Sequence, residues 1–358
     1  MTLPTHEEHH DLGARFTEVN GMEVVGHYGD VGEELRRLQS LAAVLDFSFR
    51  SRLVVVGADR TRFLHSQCTN DINRLKPGQG CYTAVTNNKG RVQGDANVFV
   101  LPDEILLDAE PGQTAELTGR FQKFVVSDDI EVIDAAPHYG LLTVQGPRTD
   151  DVIGSLGLDA GLPAEPFAGI KIPHPVLGEI YLACHPRLAL SGADFFVPVA
   201  SLGAMLDKLI AATQAVGGGV AGWDSFEHAR VEAGIPRFGV DMTETNLAPE
   251  AGIGSRAISY TKGCYVGQEI LNRLRTFAEV SRRLCRLQLT AGVGSRPAQG
   301  AKLTKDGREA GWITSVGALP ESGKLSALGY VRKEWQQPGT PLQIEGGGVA
   351  TVVAIIGA

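Results

Sequence analysis

Several kinds of chemistry are excluded by what this chain lacks. Its five cysteines (Cys68, Cys81, Cys184, Cys264 and Cys285) are an odd number, scattered, and form no C-x-x-C pair. That rules against a disulfide framework and a zinc ribbon, and most of them read as small apolar packing residues. No apolar run approaches the ~20 residues that span a bilayer. The N-terminus "MTLPTHEEHHDLGARF" has neither a basic region nor an apolar stretch behind it, so no secretory signal is expected and a cytoplasmic location is. Positive charge is also in deficit: the formal net charge of −8 argues against direct, bulk electrostatic binding of nucleic acid. There is no nucleophile-elbow serine, no P-loop lysine and no repeat of fixed period.

What remains is ordinary globular composition, 43% apolar and 21% charged over 358 residues, too long for one core. "VGEELRRLQSLAAVLDF" (31–47) has helical spacing, "RLVVVGAD" (52–59) reads as a strand, and Asp59 is placed to cap a helix through "RTRFLHSQC". "CYTAVTNNKGRVQGDANVFVL" (81–101) is a hairpin whose turn, Asn87-Asn88-Lys89-Gly90, tolerates positive φ. A strand and then a helix opening near Pro111 follow, with strands at 139–147, 179–185 and 193–198 and helices at 200–215 and 224–234. Beyond residue 280, short strands separated by Gly/Pro turns predict a small antiparallel barrel.

Two motif matches dissolve on context. "HEEHH" (6–10) satisfies H-E-x-x-H, but no apolar stripe accompanies it, and an exposed polar tail is expected. "GGGVAG" (217–222) satisfies G-x-G-x-x-G but follows a helix rather than a strand, so it reads as a helix end.

The densest chemistry lies in "SYTKGCYVGQEILNRLR" (259–275). Lys262 and a helix start near Tyr265 would both favour a thiolate at Cys264. Gly263 and Gly267 permit a tight turn, and Gln268 and Glu269 add an amide and a carboxylate. A ligand-facing thiol and a small packing residue both fit this pattern. A cluster held by Cys264 alone does not, since such clusters usually take four thiolates, and no metal site is assigned. Arg273, Arg275, Arg282, Arg283 and Arg286 form a local basic run suited to an anionic ligand tail or to a solvated face. Asp95, alternating with apolar residues in the hairpin, is a carboxylate in need of a partner, or a base.

"ISYTKGCYVGQEI" resembles the K-G-C-Y-x-G-Q-E signature of the YgfZ-type folate-binding proteins, relatives of the glycine-cleavage T-protein, an aminomethyltransferase. "GADRTRFLHSQCTNDINRL", "NNKGRVQGDANVFV" and "ARVEAGIPRFGVDMTETNLAPEAG" fall in that family's order, so the resemblance spans roughly residues 30–330. It implies an α+β fold, a three-lobed ring of two mixed α/β domains with a C-terminal antiparallel β-barrel. The lobes expected are 1–50 with 138–220, 51–137 with 221–278, and the barrel 279–358. Asp95 falls where the transferases carry the aspartate that assists one-carbon transfer to tetrahydrofolate. Arg91 replaces the second turn glycine, and Leu190 and Val197 replace a folate-contacting Tyr and Glu.

On this resemblance the catalytic candidates are Cys264, Asp95 and Lys262. The folate-binding candidates are Asn70, Asp71, Asp95, Arg230, Tyr265, Gln268, Glu269 and Arg273. The function implied is a tetrahydrofolate-binding factor supporting assembly or repair of iron–sulfur enzymes and, through such a client, tRNA modification, without membrane association. The alternative is a folate-dependent aminomethyltransferase or demethylase using Asp95.

Overall fold

The computed structural model describes residues 2–277, 280–290, 296–317 and 325–357. The chain divides into two compact units. The first comprises 1–65, 71–82 and 96–226, and the second 66–70, 83–95 and 227–358. No helix among the described residues is long and apolar enough to cross a membrane.

The first unit is built on two sheets. One has six strands in the order Gly169–His174, Gly178–Cys184, Gly192–Pro198, Tyr139–Gln145, Ala43–Asp46 and Gly219–Val220. Helix Leu202–Ala215 covers it, burying Leu202, Met205, Leu206 and Leu209 against Val144, Leu182, Phe195 and Val197. The other has five strands, Gly80–Thr86, Val92–Val100, Ile105–Ala109, Ser51–Val56 and Glu131–Asp134. The tip of its first hairpin, residues 83–95, clusters with the second unit.

Two expectations are corrected here. The helix expected over 31–47 ends at Ser40, and Ala43–Asp46 is a strand, antiparallel to 142–145 and parallel to 219–220. All four of its residues are buried. A continuous apolar run buried on both faces carries no periodicity to separate strand from helix. The N-terminal stretch is not an exposed tail either. His6–Asp11 is a short helix, followed by the hairpin Arg15–Val19 and Met22–His27. His9 is buried, its Nε2 3.1 Å from Asp46 Oδ2 and its Nδ1 2.8 Å from the Tyr28 hydroxyl. That pairing satisfies a polar ring taken out of water.

The first unit also buries an ion network. Asp108 accepts from Arg50 at 2.6 Å and Arg187 at 2.8 Å, while Arg187 also bonds Asp194 at 2.6 Å and Arg50 reaches Glu110 at 2.7 Å. His185 Nδ1 lies 2.7 Å from Asp194. Burial opposes charge on Asp108 and Asp194. Arg187, joined at Asp108 by Arg50, outweighs that and holds both carboxyls below the usual range.

In the second unit, six strands close into an antiparallel barrel in the order Arg282–Leu289, Leu325–Arg332, Arg308–Val316, Lys302–Lys305, Pro341–Ile344 and Val349–Ile355. Alternate residues Cys285, Leu287 and Leu289 fill its interior with Ile313, Val331, Leu342 and Val352. The α+β lobes and C-terminal antiparallel barrel expected from the sequence are therefore what the structure contains.

Candidate functional site

The candidate site in the second unit is assembled from four stretches far apart in sequence: 66–70, the hairpin tip 83–95, residues 241–250, and the 259–277 segment. Two glycines join them. Gly267, at φ +88°, lies so close to the hairpin turn that a Cβ would meet the Asn87 carbonyl oxygen at 2.5 Å. Gly90, at φ +70°, packs against Ile270. Thr86 Oγ1 donates to the Val266 carbonyl at 2.6 Å, and Val266 N–H to Ser66 O at 3.3 Å. The left-handed backbone and the close approach explain why glycine stands at both places.

Lys262 is buried, and its ammonium donates to the carbonyls of Cys68 at 2.7 Å and Asn70 at 2.8 Å while lying 4.9 Å over the Tyr265 ring. It thus ties the loop to the segment after helix Arg60–Gln67. Asn70 Nδ2 donates to the Arg256 carbonyl at 3.0 Å. Thr69 Oγ1 donates to the Ala257 carbonyl at 2.6 Å.

Cys264 is exposed at the outer turn of this loop. The helix expected to begin near Tyr265 begins at Gln268, so its positive end lies four residues beyond the thiol. Gln268 Nε2 reaches the Lys262 and Gly263 carbonyls only at 3.4 and 3.5 Å. Glu269 and Arg273 form an exposed pair at 3.7 Å. Tyr265 is buried, and its hydroxyl has no hydrogen-bond partner among the described residues. Burial raises its pKa above the usual phenol value.

Asp95 is half-buried on strand Val92–Val100. That strand's first amide, Val92 N–H, donates to Asn246 O at 3.0 Å. Asn246 is buried with its Nδ2 unpartnered among the described residues. Asp71 belongs to the first unit, where His65 Nδ1 lies 3.3 Å away and Arg74 Nε 3.1 Å.

Arg230 is spent elsewhere. Its five N–H donors engage both Glu227 oxygens, Asp241 Oδ2, the Ile235 carbonyl and Ser315 Oγ, leaving none for a ligand. Its expected folate contact gives way to a structural one: it ties helix Trp223–Ala233 to the barrel. The arginine run disperses similarly. Arg282 faces Glu250 at 3.4 Å and stacks over Trp312, and Arg275 lies 4.5 Å over the Tyr260 ring.

Sequence reasoning missed Thr86, Asn246 and the Gly90–Gly267 contact. The hairpin residues Thr86 and Gly90 lie more than 150 residues along the chain from Asn246 and Gly267, and no spacing rule links them.

The fold and this loop-on-hairpin site define a two-part chain, an α+β body with a C-terminal barrel. Residues 5–262 match the family model of the GCVT N-terminal domain, and residues 282–356 match that of the glycine cleavage T-protein C-terminal barrel domain. The chain belongs to the glycine cleavage T-protein family.

A putative chloroplastic transferase of Arabidopsis thaliana is 28% identical over 326 residues, covering 87% of this chain and 70% of that protein. The aminomethyltransferase of Mycobacterium avium is 29% identical over 307 residues, covering 82% of each. The crystal structure of the glycine cleavage system aminomethyltransferase T from Bartonella henselae superimposes with a TM-score of 0.87 at 23% identity, over 100% of this chain and 97% of that one. It shows the same fold.

These matches overturn the assignment to the YgfZ-type branch. The expected iron–sulfur maturation role, its client enzymes and the link to tRNA modification fall with it. The local motif misled for a physical reason. Lys262 and Gly267 anchor the loop, a packing task that does not specify a reaction.

Proposed function

We propose that the protein is a folate-dependent one-carbon transferase of the aminomethyl type. The observation that carries this reading is the family match over both parts of the chain, together with a half-buried carboxylate, Asp95, on the hairpin that the loop clamps.

The donor set of the second unit fits a folate-type molecule. Tyr265 Oη and Asn246 Nδ2 are buried polar atoms without hydrogen-bond partners among the described residues, and each lies in a segment hydrogen-bonded to the Asp95 hairpin. Unsatisfied buried groups of this kind cost stability until an acceptor reaches them, and a pterin offers ring nitrogens and a carbonyl. The transferase Tyr and Glu are replaced by Leu190, at 36% exposure, and Val197, which is wholly buried in the first unit's core. Pterin recognition therefore rests on Tyr265, Asn246 and Asp95.

Bound tetrahydrofolate supplies the amine nitrogens that receive the one-carbon unit. Asp95 accepts a hydrogen bond from such an amine and takes its proton at Oδ, a task for which a half-buried carboxylate is suited. Lys262 and the Gly90–Gly267 contact hold the loop still while this happens. In the balanced reaction the C–S bond of an aminomethyl thioether breaks. The C–N bond to the amino group breaks as well, two C–N bonds to the folate form, and the two folate N–H protons leave with the free thiol and with ammonia.

The test is incubation with tetrahydrofolate and an aminomethyl-lipoyl carrier, following methylene-tetrahydrofolate and ammonia. Stoichiometric formation of both is expected, with a loss of about 10²–10⁴-fold in Asp95→Asn. No product from the wild-type chain, or undiminished turnover in Asp95→Asn, would overturn the reading.

A further inference from the structure

The first unit holds a cavity of about 250 Å³ that the transfer reaction does not use. Val54 and Val56 on one face of strand Ser51–Val56, with Leu106 and Phe196, give it an aliphatic and aromatic floor. Glu104, Tyr139 and Tyr181 supply polar groups, and Arg52 and the exposed His138 complete the polar lining. The rings of Tyr139 and Tyr181 meet edge to face at 5.8 Å.

Glu104 is the unusual member. It is half-buried, and among the described residues it has no cation within ion-pair distance and its side chain's one hydrogen bond is a long one from the Tyr181 hydroxyl at 3.5 Å. The neighbouring cation is committed elsewhere: Lys171 pairs with Glu179 at 2.5 Å and lies 5.6 Å from the Tyr181 ring centroid. Tyr181 donates its hydroxyl to Glu179 at 2.6 Å, so that oxygen does not neutralise Glu104 either. Arg52, also on the lining, turns its guanidinium onto the carbonyls of Tyr139, Arg50, Ser48 and Phe47.

Burial raises the Glu104 pKa, and the Lys171 charge and the Tyr181 hydroxyl oppose that only in part, with Glu179 and Asp103 adding to the rise. An unpaired carboxylate beside two aromatic rings and an apolar floor is the chemistry that recognises an organic cation.

We propose that this cavity binds a small organic ammonium ion, its apolar body on the Val54–Phe196 floor and its charge between Glu104 and the rings of Tyr139 and Tyr181. Charge complementarity selects this occupant: an alcohol leaves Glu104 unpaired and a carboxylate meets it with like charge.

The test uses the full chain and phenethylamine in calorimetric titration, with 2-phenylethanol and 3-phenylpropionate as neutral and anionic probes of the same shape. The amine is expected to bind about tenfold more tightly than the alcohol, with the carboxylate weakest. Glu104→Gln should lower amine affinity about tenfold and leave alcohol affinity unchanged. Tyr139→Leu should weaken the amine about threefold and spare the alcohol, giving a second reading should Glu104→Gln not fold. Equal binding of amine and alcohol, binding by neither, or an amine affinity indifferent to Glu104→Gln would overturn the proposal. Methylene-tetrahydrofolate formation should be the same in Glu104→Gln as in the wild type, which separates this site from the transferase reading.

Discussion

Gly267 and Asn87 approach so closely that the space a Cβ would occupy at Gly267 is 2.5 Å from the Asn87 carbonyl oxygen. Two segments about 180 residues apart are registered by one missing methyl group, at a backbone angle that L-residues avoid. Gly267→Ala should therefore destabilise the protein by about 2–4 kcal/mol, through the left-handed penalty and the clash together. Urea unfolding measures it, and a loss below about 0.5 kcal/mol would show that the contact is slack.

Lys262 and Cys264, two residues apart, should respond very unequally to substitution. Lys262→Met strips a buried ammonium from the carbonyls of Cys68 and Asn70, and a loss of about 2 kcal/mol is expected in the same unfolding assay. Cys264→Ser, at an exposed position, should change stability by less than about 0.5 kcal/mol.

Thiol labelling follows burial. Iodoacetamide at neutral pH should modify Cys264 first in the native protein. Cys68 is buried, and so is Cys285, whose thiol burial pushes up to about 12, and both should react only on unfolding. Peptide mapping after timed labelling checks the order, and early modification of Cys285 would contradict the barrel packing.

Tyr265→Phe separates a ligand-facing hydroxyl from a structural one. The hydroxyl has no partner among the described residues, so its removal should leave stability unchanged or raise it by up to about 1 kcal/mol. Tetrahydrofolate affinity should fall about tenfold if that hydroxyl meets the pterin. A stability loss with unchanged affinity would assign Tyr265 to packing.

His185 sets a pH dependence. Burial first, and Arg187 beside it, hold its pKa below the ordinary value, with Asp194 opposing. The unfolded chain takes up a proton near pH 6.5 that the native state resists, so this contribution is complete above that pH and is lost as pH falls through the window beneath it. Asp108 and Asp194, held low in the native state, contribute above the ordinary carboxylate range near pH 4 and lose that contribution below it. His185→Gln should flatten the decline between about pH 7 and 5 and leave the acid limb in place. Urea midpoints across pH 3–8 measure both.

The hairpin at 81–101, the strand–helix order of the body and the barrel beyond residue 280 were legible because each is a local pattern: alternation, turn residues, spacing. Asp95 was legible too, as a carboxylate among apolar neighbours. The strand at 43–46 was not, because a segment buried on both faces has no period. Nor was the buried place of His9, which depends on Asp46 and Tyr28 arriving from other elements.

The same division holds at the site. Residue types and spacing by themselves determined which side chains could do chemistry. Only tertiary structure decided which of them are free to do it: it consumed every donor of Arg230, turned Lys262 onto two carbonyls, left Cys264 exposed, and buried the Tyr265 hydroxyl with no hydrogen-bond partner among the described residues. Hydrogen-bond satisfaction is settled by groups brought together across the fold, and no local run of residues encodes it.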